Sequence, residues 1–520
     1  MKIMRNAKKL LALMLAMIML LSLAACGGAG NQGQQGGTNQ SAGASVKLKI
    51  VAADFGYGTN WLKAIAQVYM SQNRNVSIQI EGTPIPHQLL SQIQGGLDAY
   101  DIFLGTSPLG GLGEDGYFVC IDDVVNATCE GEEKTVLEKL GTLAEGMVYY
   151  DHYYSLPYVN SPTGMVVNHD TMKALYGDNY KLPNTTDEFL AMGKDIAGMG
   201  AYPYMDSISY TDMLMEVWWN QYDAVGYQNY WKGVYIDENG QEQKAAKGES
   251  LDQPGKLEAY KLAQTLLNPK YGYNHQYATT MDFAEAQLAF LGQGYGGIDN
   301  KLIAFMPNGA WLENEMEMVL AEYPANFEMF RVPVISSIIN VLPDKSVADD
   351  AELSALITAI DAGSTALSGT GYEVTQKDFD RVKEARFYVG QNSTAHEIGI
   401  VSTCKNVDVA KDFLLFMTSN QASSVAGREL AGVALPFGYL PSSEDGYEIS
   451  AYVQSANRLC EGATFICHGS TVLTDNGLSI SKLVGQSLCA ALRTGEKTAE
   501  QIYQDDIAGF TNDWKYMLGQ

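Results

Sequence analysis

From Lys47 onward the apolar positions switch between two periods. Leu48 to Ala53 alternates as a strand does, Trp61 to Met70 carries apolar residues at helical spacing, and Val76 to Ile80 alternates again. Gln88 to Leu97 returns to helical spacing, and Tyr100 to Leu104 is a short apolar run. Strands separated by helices of about ten residues predict βαβ units and a parallel sheet. In such sheets ligands sit beyond the carboxyl ends of the strands. Two strand exits are therefore candidate site loops: Asp54-Phe55-Gly56-Tyr57-Gly58 and Gly105-Thr106-Ser107-Pro108.

A second zone follows Tyr149 to Tyr158, a stretch crowded with aromatic residues that reads as a strand leaving a first lobe. Pro183 to Phe189 carries a helix start, with Thr185 or Thr186 as N-cap and acids in the first turn. Helical spacing continues at Phe189 to Ile196, Met213 to Trp219 and Leu257 to Leu267. The second of these should turn only one of Trp218 and Trp219 inward. Ile236 to Gln241 has the composition of a calcium loop but the wrong spacing, so Asn239-Gly240 reads as a hairpin turn. Residues 341 to 392 are polar, acidic and weakly patterned except for the helical Asp350 to Ile360, so 336–394 is expected to be a surface insertion. No internal repeat of fixed period is present, which argues against a solenoid.

The first 25 residues have a different character: Lys2, Arg5, Lys8 and Lys9, then an apolar run from Leu10 to Leu21, then small residues. That is the layout of a secretory signal, and the run is short for a membrane span. It ends in Leu23-Ala24-Ala25-Cys26, which resembles the lipobox of bacterial lipoproteins and makes Cys26 the expected lipidation site. Gly27 to Ser45 is nearly all Gly, Gln, Asn, Ala and Ser, a flexible tether able to hold a domain about 25 Å from a membrane. The remainder is long enough for two or three cores. The whole chain carries 34 basic and 60 acidic residues, and its net charge of −26 becomes −30 once the signal's four basic residues are gone. Such a surface repels nucleic acid and anionic lipid and favours a neutral or cationic ligand.

Six cysteines remain after Cys26: Cys120, Cys129, Cys404, Cys460, Cys467 and Cys489. The near pairs Cys120/Cys129 and Cys460/Cys467 could close short loops in an exported protein, or all could be buried thiols. With no CxxC pair and Cys467-His468 standing alone, the spacing gives no sign of structural zinc, and no metal or cofactor is expected.

Several segments, in order, resemble the extracellular solute-binding proteins of carbohydrate ABC importers. Gly95 to Ile102 is similar to the family's helix end running into a Tyr-Asp and an apolar strand. Leu156-Pro157-Tyr158 through Gly164 to Asp170 is similar to its crossing between lobes, with Val167 and His169 in place of the usual Tyr and Lys. Leu182 to Phe189 resembles its helix start, and Phe305-Met306-Pro307-Asn308-Gly309-Ala310-Trp311-Leu312 its Asn-Gly-x-Trp strand and turn. Ile398 to Ser419 carries its Lys-Asn, Ala and Phe-Leu pattern at Lys405-Asn406, Ala410 and Phe413-Leu414.

The resemblance implies an α/β, two-lobed periplasmic-binding-protein-like fold of type II with a hinge between the lobes. A signal peptide at 1–25 and a lipidated Cys and linker at 26–46 would precede lobe 1 at 47–157, with a return segment at about 395–435. Lobe 2 would span 158–335, with a C-terminal segment at about 436–520. It further implies a monomeric, lipid-anchored protein at the outer face of the cell membrane that captures a sugar and delivers it to permease subunits without chemistry. Sugar rings have apolar faces and polar rims, so aromatic plates and hydrogen-bonding groups should converge in the cleft. The candidates are Asp54, Tyr57 and Trp61 after the first strand, Thr106 and Ser107 after the third, Tyr158 at the crossing, Asp206 and Trp219 from the second lobe, and Trp311, which the family places at the ligand. A binding protein for a peptide, polyamine or other solute, a surface glycan sensor, and an exported glycan-active enzyme are the alternatives. The last needs two carboxyl groups flanking one bond.

Overall fold

The structure is a computed structural model. It describes residues 45–517, apart from 55, 150, 207–209, 246–247, 276, 279, 293–300, 365–372, 392–395, 443–444 and 467–489. The signal, Cys26, the tether, Cys467 and Cys489 thus lie outside the described residues. Val46–Gln520 forms one compact unit.

The first lobe follows the pattern of alternating periods. Strand β1 (Val46–Ala53) leads into helix α1 (Asn60–Gln72), whose Trp61, Leu62, Ile65, Ala66 and Tyr69 fall on one buried face. Strands β2 (Val76–Thr83) and β3 (Ile102–Gly105) then pair in parallel on either side of β1. β4 (Leu156–Pro157) ends this passage of the chain.

The second lobe opens with β5 (Pro162–Asn168), buried along its whole length. α2 (Thr186–Gly198) starts where Thr185 accepts the Glu188 backbone N–H at 3.2 Å. After β6 (Tyr202–Tyr204) comes α3 (Tyr210–Lys232), a long helix broken at Asp223, whose φ of −148° and ψ of 84° are not helical. The break frees backbone carbonyls, and the Arg381 guanidinium takes up those of Asn220 and Gln221. Val234–Ile236 and Glu242–Lys244 form the hairpin, with Gly240 at φ 75° in the turn. α4 (Pro254–Leu267), β7 (Ile303–Gly309) and β8 (Phe327–Phe330) complete the central part.

The described residues of 336–394 do not form a surface insertion. α5 (Asp350–Asp361) and α6 (Gln376–Phe387) place Leu353, Leu356, Ile357, Phe379, Val382 and Ala385 in the core of the second lobe, and β9 (Tyr388–Gln391) joins its sheet against β5. Weak patterning misled here because each helix buries one face only and fills the rest with charge. The chain then returns to the first lobe. β10 (Glu397–Ile400) runs antiparallel between β3 and β4, and α7 (Val407–Met417) and α8 (Asn420–Glu429) pack into that core. Finally α9 (Ala451–Cys460), β11 (Thr464–Ile466) and α10 (Ala499–Met517) go back to the second lobe.

The sheets read β2-β1-β3-β10-β4 and β11-β9-β5-β7-β6, with β8 also on β5. Each sheet has its own large core, with smaller apolar clusters beside them. The chain passes between sheets at 158–161, between Gln391 and Glu397, and between about Ala434 and α9. These crossings are tied together: Tyr158 N–H donates to His396 O at 3.0 Å, Asn160 N–H to Ala434 O at 2.9 Å, and Gln391 Nε2 to Asn160 Oδ1 at 2.6 Å.

Candidate functional site

The parallel strands of the first lobe deliver their carboxyl ends to the crossings. The turn after β1 brings up Tyr57, and the first turn of α1 brings up Trp61, whose indole N–H donates to Gly58 O at 3.1 Å. Tyr158, the first residue of the crossing, lies flat on Trp61, with ring centroids 5.6 Å apart and an interplanar angle of 15°. His396, on the antiparallel crossing, meets Tyr158 edge-on at 5.6 Å and Tyr57 at 6.0 Å. The Tyr57 hydroxyl reaches Ser161 Oγ at 3.1 Å, so the plate is fixed to the hinge itself.

The second lobe contributes from the turn after β7 and the start of α3. Trp311 folds back over Gly309, where a Cβ would sit 2.0 Å from its ring, so only glycine admits this close approach. Its ring faces His396 at 6.5 Å and Tyr210 at 6.2 Å, and it belongs to the apolar core of the first lobe although its strand belongs to the second. The lobes are thus closed on each other along a row of aromatic rings. Two carboxyl groups stand behind Trp311. Glu315 accepts Gln287 Nε2 at 2.8 Å and Glu313 accepts the Ser450 hydroxyl. Burial pushes both above the usual carboxylate range, and those two bonds partly offset it. The Tyr210 hydroxyl is pushed up to about 12, first by burial and then by the negative charge of Glu315, against a bond from Trp311. Desolvation likewise raises Tyr57 and Tyr158, so these phenols stay neutral hydrogen-bonding groups. Apolar faces with polar rims therefore converge from both lobes.

Four of the residues expected from sequence, Tyr57, Trp61, Tyr158 and Trp311, come together here. Asp54 is exposed at the exit of β1, its carboxylate against Gly82. Thr106 and Ser107 are half-buried at the exit of β3, where Ser107 Oγ bonds His87 Nδ1 at 2.9 Å. Asp206 and Trp219 are not brought to the row. Asp206 is fully buried, accepts the Thr211 hydroxyl at 2.6 Å and pairs with Arg493, which pins the start of α3 and so places Tyr210. Trp219 lies in the core of the second lobe, edge-on to Tyr227 and Tyr230. Trp218 is buried too, its indole N–H donating to Pro333 O at 3.3 Å. Both tryptophans turn inward because protein packs on more than one side of α3. Tyr210, His396, Glu313 and Glu315 were not singled out from sequence, since no local pattern marks a residue whose role depends on another lobe. Cys120, Cys129, Cys404 and Cys460 are free thiols, so Cys120 and Cys129 are not bridged; Cys129 Sγ lies 3.4 Å from Leu415 O.

A family profile described as bacterial extracellular solute-binding protein matches residues 64–445. The chain belongs to the bacterial extracellular solute-binding proteins. Among curated relatives, this solute-binding protein is 26% identical over 307 residues to the diacetylchitobiose binding protein NgcE of Streptomyces coelicolor, a match covering 57% of this chain and 59% of that one. The match thus spans well under two thirds of the relative's length. Solved structures share the two-lobed fold. RafE in complex with raffinose aligns over 90% of this chain and all of its own, with a TM-score of 0.54 and 15% identity. Apo RafE of Streptococcus pneumoniae gives 0.56 at 14% identity, and the GacH receptor of Streptomyces glaucescens, solved unliganded and with acarbose, gives 0.55 at 14%; each covers 92% of this chain and 100% of its own. No helix among the described residues is long and apolar enough to cross a membrane.

Proposed function

We propose that this solute-binding protein captures a mono- or oligosaccharide between its lobes, performs no chemistry on it, and hands it to the permease of an ABC importer. The observation that carries the reading is the row Trp61, Tyr158, His396 and Trp311, drawn from both lobes at the hinge and backed by Glu313 and Glu315. Flat rings match the apolar faces of a sugar, and carboxylates accept bonds from its hydroxyls. The ligands of the proteins it resembles in sequence or in fold, diacetylchitobiose, raffinose and acarbose, are all sugars or sugar-like. Within this reading, Tyr57, Trp61, Tyr158 and Trp311 contact the ligand, Asp54, Thr106 and Ser107 border it, and Cys26 carries the acyl chains that keep the protein at the outer face of the membrane.

Closure by a hinge suits a capture role, because closing removes the ligand from water and creates a surface made by both lobes. A thermal-shift screen with diacetylchitobiose, raffinose, acarbose and monosaccharides tests the proposal. A sugar at 100 times its Kd should stabilise the protein by about 2.7 kcal/mol and be recovered unchanged after incubation. Absence of any shift across the panel would overturn the sugar assignment, and turnover abolished by substituting one carboxylate would overturn the binding-only assignment.

A further inference from the structure

The first lobe holds a second cluster of chemistry-bearing side chains, away from the aromatic row. Cys120, Asp122 and His152 each place one donor atom so that the three lie within 4.8 Å of one another. The three come from two segments, and the backbone holds these segments together. Val119 N–H donates to Ile400 O at 2.9 Å, which seats the Cys120 segment against β10. Ile121 N–H donates to Tyr153 O at 2.8 Å, and Tyr153 N–H donates to Asp122 Oδ1 at 2.8 Å, so Asp122 and His152 stand on facing segments. The tight turn between Val148–Tyr149 and His152–Tyr153, with Asp151 at φ 63°, presents the imidazole, whose Nδ1 lies 2.7 Å from Asp122 Oδ2.

From this geometry we propose that Cys120, Asp122 and His152 bind one divalent zinc-type cation at an open, three-ligand site. The donor set is a thiolate, a carboxylate and an imidazole, which is the chemistry zinc takes in tetrahedral sites, and it excludes calcium or magnesium, whose ligands are oxygens. A tetrahedral zinc holds such donors about 3 to 4 Å apart, so a spread of 4.8 Å needs adjustment of about an ångström, which the exposed His152 on its turn can supply. Cys120 and Asp122 are half-buried and His152 is exposed, so the cluster opens to solvent on the His152 side. The surroundings are acidic. Glu114 stands nearby, held by the Tyr154 hydroxyl at 3.1 Å, and the neighbouring Lys411 is neutralised by Asp123 at 2.7 Å. Bound metal would staple the 148–153 hairpin to the segment beside β10, six residues before Tyr158. The spacing of cysteines along the chain hides the site, because its ligands are brought together across about thirty residues of sequence by backbone pairing.

The purified mature protein, metal-free and reduced, is titrated with cobalt(II) and then zinc(II). One equivalent of cobalt should give tetrahedral d–d absorption with a thiolate charge-transfer band, and one equivalent of zinc should abolish both. Cys120→Ser should remove the charge-transfer band while Cys129, Cys404 and Cys460 remain, and His152→Ala should weaken zinc binding at least tenfold. Sugar-free protein is used throughout, so the result does not depend on the proposed ligand. No stoichiometric cobalt spectrum from the unsubstituted protein, or an unchanged one from both variants with unaltered thermal unfolding, overturns the site.

Discussion

The protein contains two rich aromatic regions with opposite uses. At the crossings, Trp61, Tyr158, His396, Trp311 and Tyr210 come from separate segments of both lobes, and two of the five rings, His396 and Tyr210, are only half-buried. In the second lobe Trp219, Tyr227, Tyr230, Trp231 and Tyr260 come from two neighbouring helices, α3 and α4. Their central position is taken by the protein's own cation: Lys256 Nζ lies 4.8 Å from the Tyr230 ring centroid and 5.6 Å from that of Trp219. One region packs rings from both lobes against one another, with Trp61, Tyr158 and Trp311 buried, and the other packs its rings around a lysine within one lobe. Composition does not distinguish the two regions; the number of independently positioned segments that meet in each does.

This contrast can be broken most forcefully at Trp219. Trp219→Ala should cost about 3 to 5 kcal/mol of unfolding free energy in urea denaturation, as large-to-small changes in a packed core do. A variant that keeps its stability but loses sugar affinity would reverse the roles of the two regions. Trp311→Ala is the complementary change. It should weaken sugar binding by about 2 kcal/mol, roughly thirtyfold, as a central aromatic contact does, with titration calorimetry as the measure and unchanged affinity as the contrary result.

A third prediction uses Glu397, which follows His396 and is buried in the first lobe. Ser155 Oγ at 2.6 Å and Leu109 N–H at 2.8 Å donate to its carboxyl group, yet burial outweighs them and raises it from 4.5 to about 8. Between these values the folded protein keeps a proton that the unfolded chain has released, so stability falls as pH rises through the window and levels off above it. The loss should be about 2 kcal/mol between about pH 6 and 8, and Glu397→Gln should flatten it. Equal slopes for the two proteins in denaturation series at several pH values would contradict this. The smallest effect is expected at the hinge. Asn160→Ala removes the acceptor of Gln391 Nε2 and should cost about 1 kcal/mol of stability while changing the closing rate seen in stopped-flow ligand binding. An unaltered rate would show that this amide pair is not part of the hinge.

Much of the fold was legible in the chain. The alternation of periods from Leu48 to Leu104 corresponds to β1, α1, β2 and β3, with shifts of a few residues at the ends, and Thr185 caps its helix as its position suggested. The strand exits directed attention to Tyr57 and Trp61, because a parallel sheet presents its carboxyl edge to ligands whatever the side chains are. Asp350 to Ile360 was also visible as a helix, but its burial was not, since a half-apolar helix reads the same on a surface or under one.

What the sequence determined by itself was local: which segments are strands or helices, where caps and turns fall, and that the first 45 residues differ in kind from the rest. These follow from interactions within a few residues along the chain. Tertiary structure decided which side chains meet. Asp206 and Trp219 went to the interior of the second lobe, His396 and Tyr210 came to the aromatic row between the lobes, and Cys120, Asp122 and His152 converged. Such meetings depend on sheet order and on three crossings between lobes, and no periodicity encodes distances between residues hundreds of positions apart.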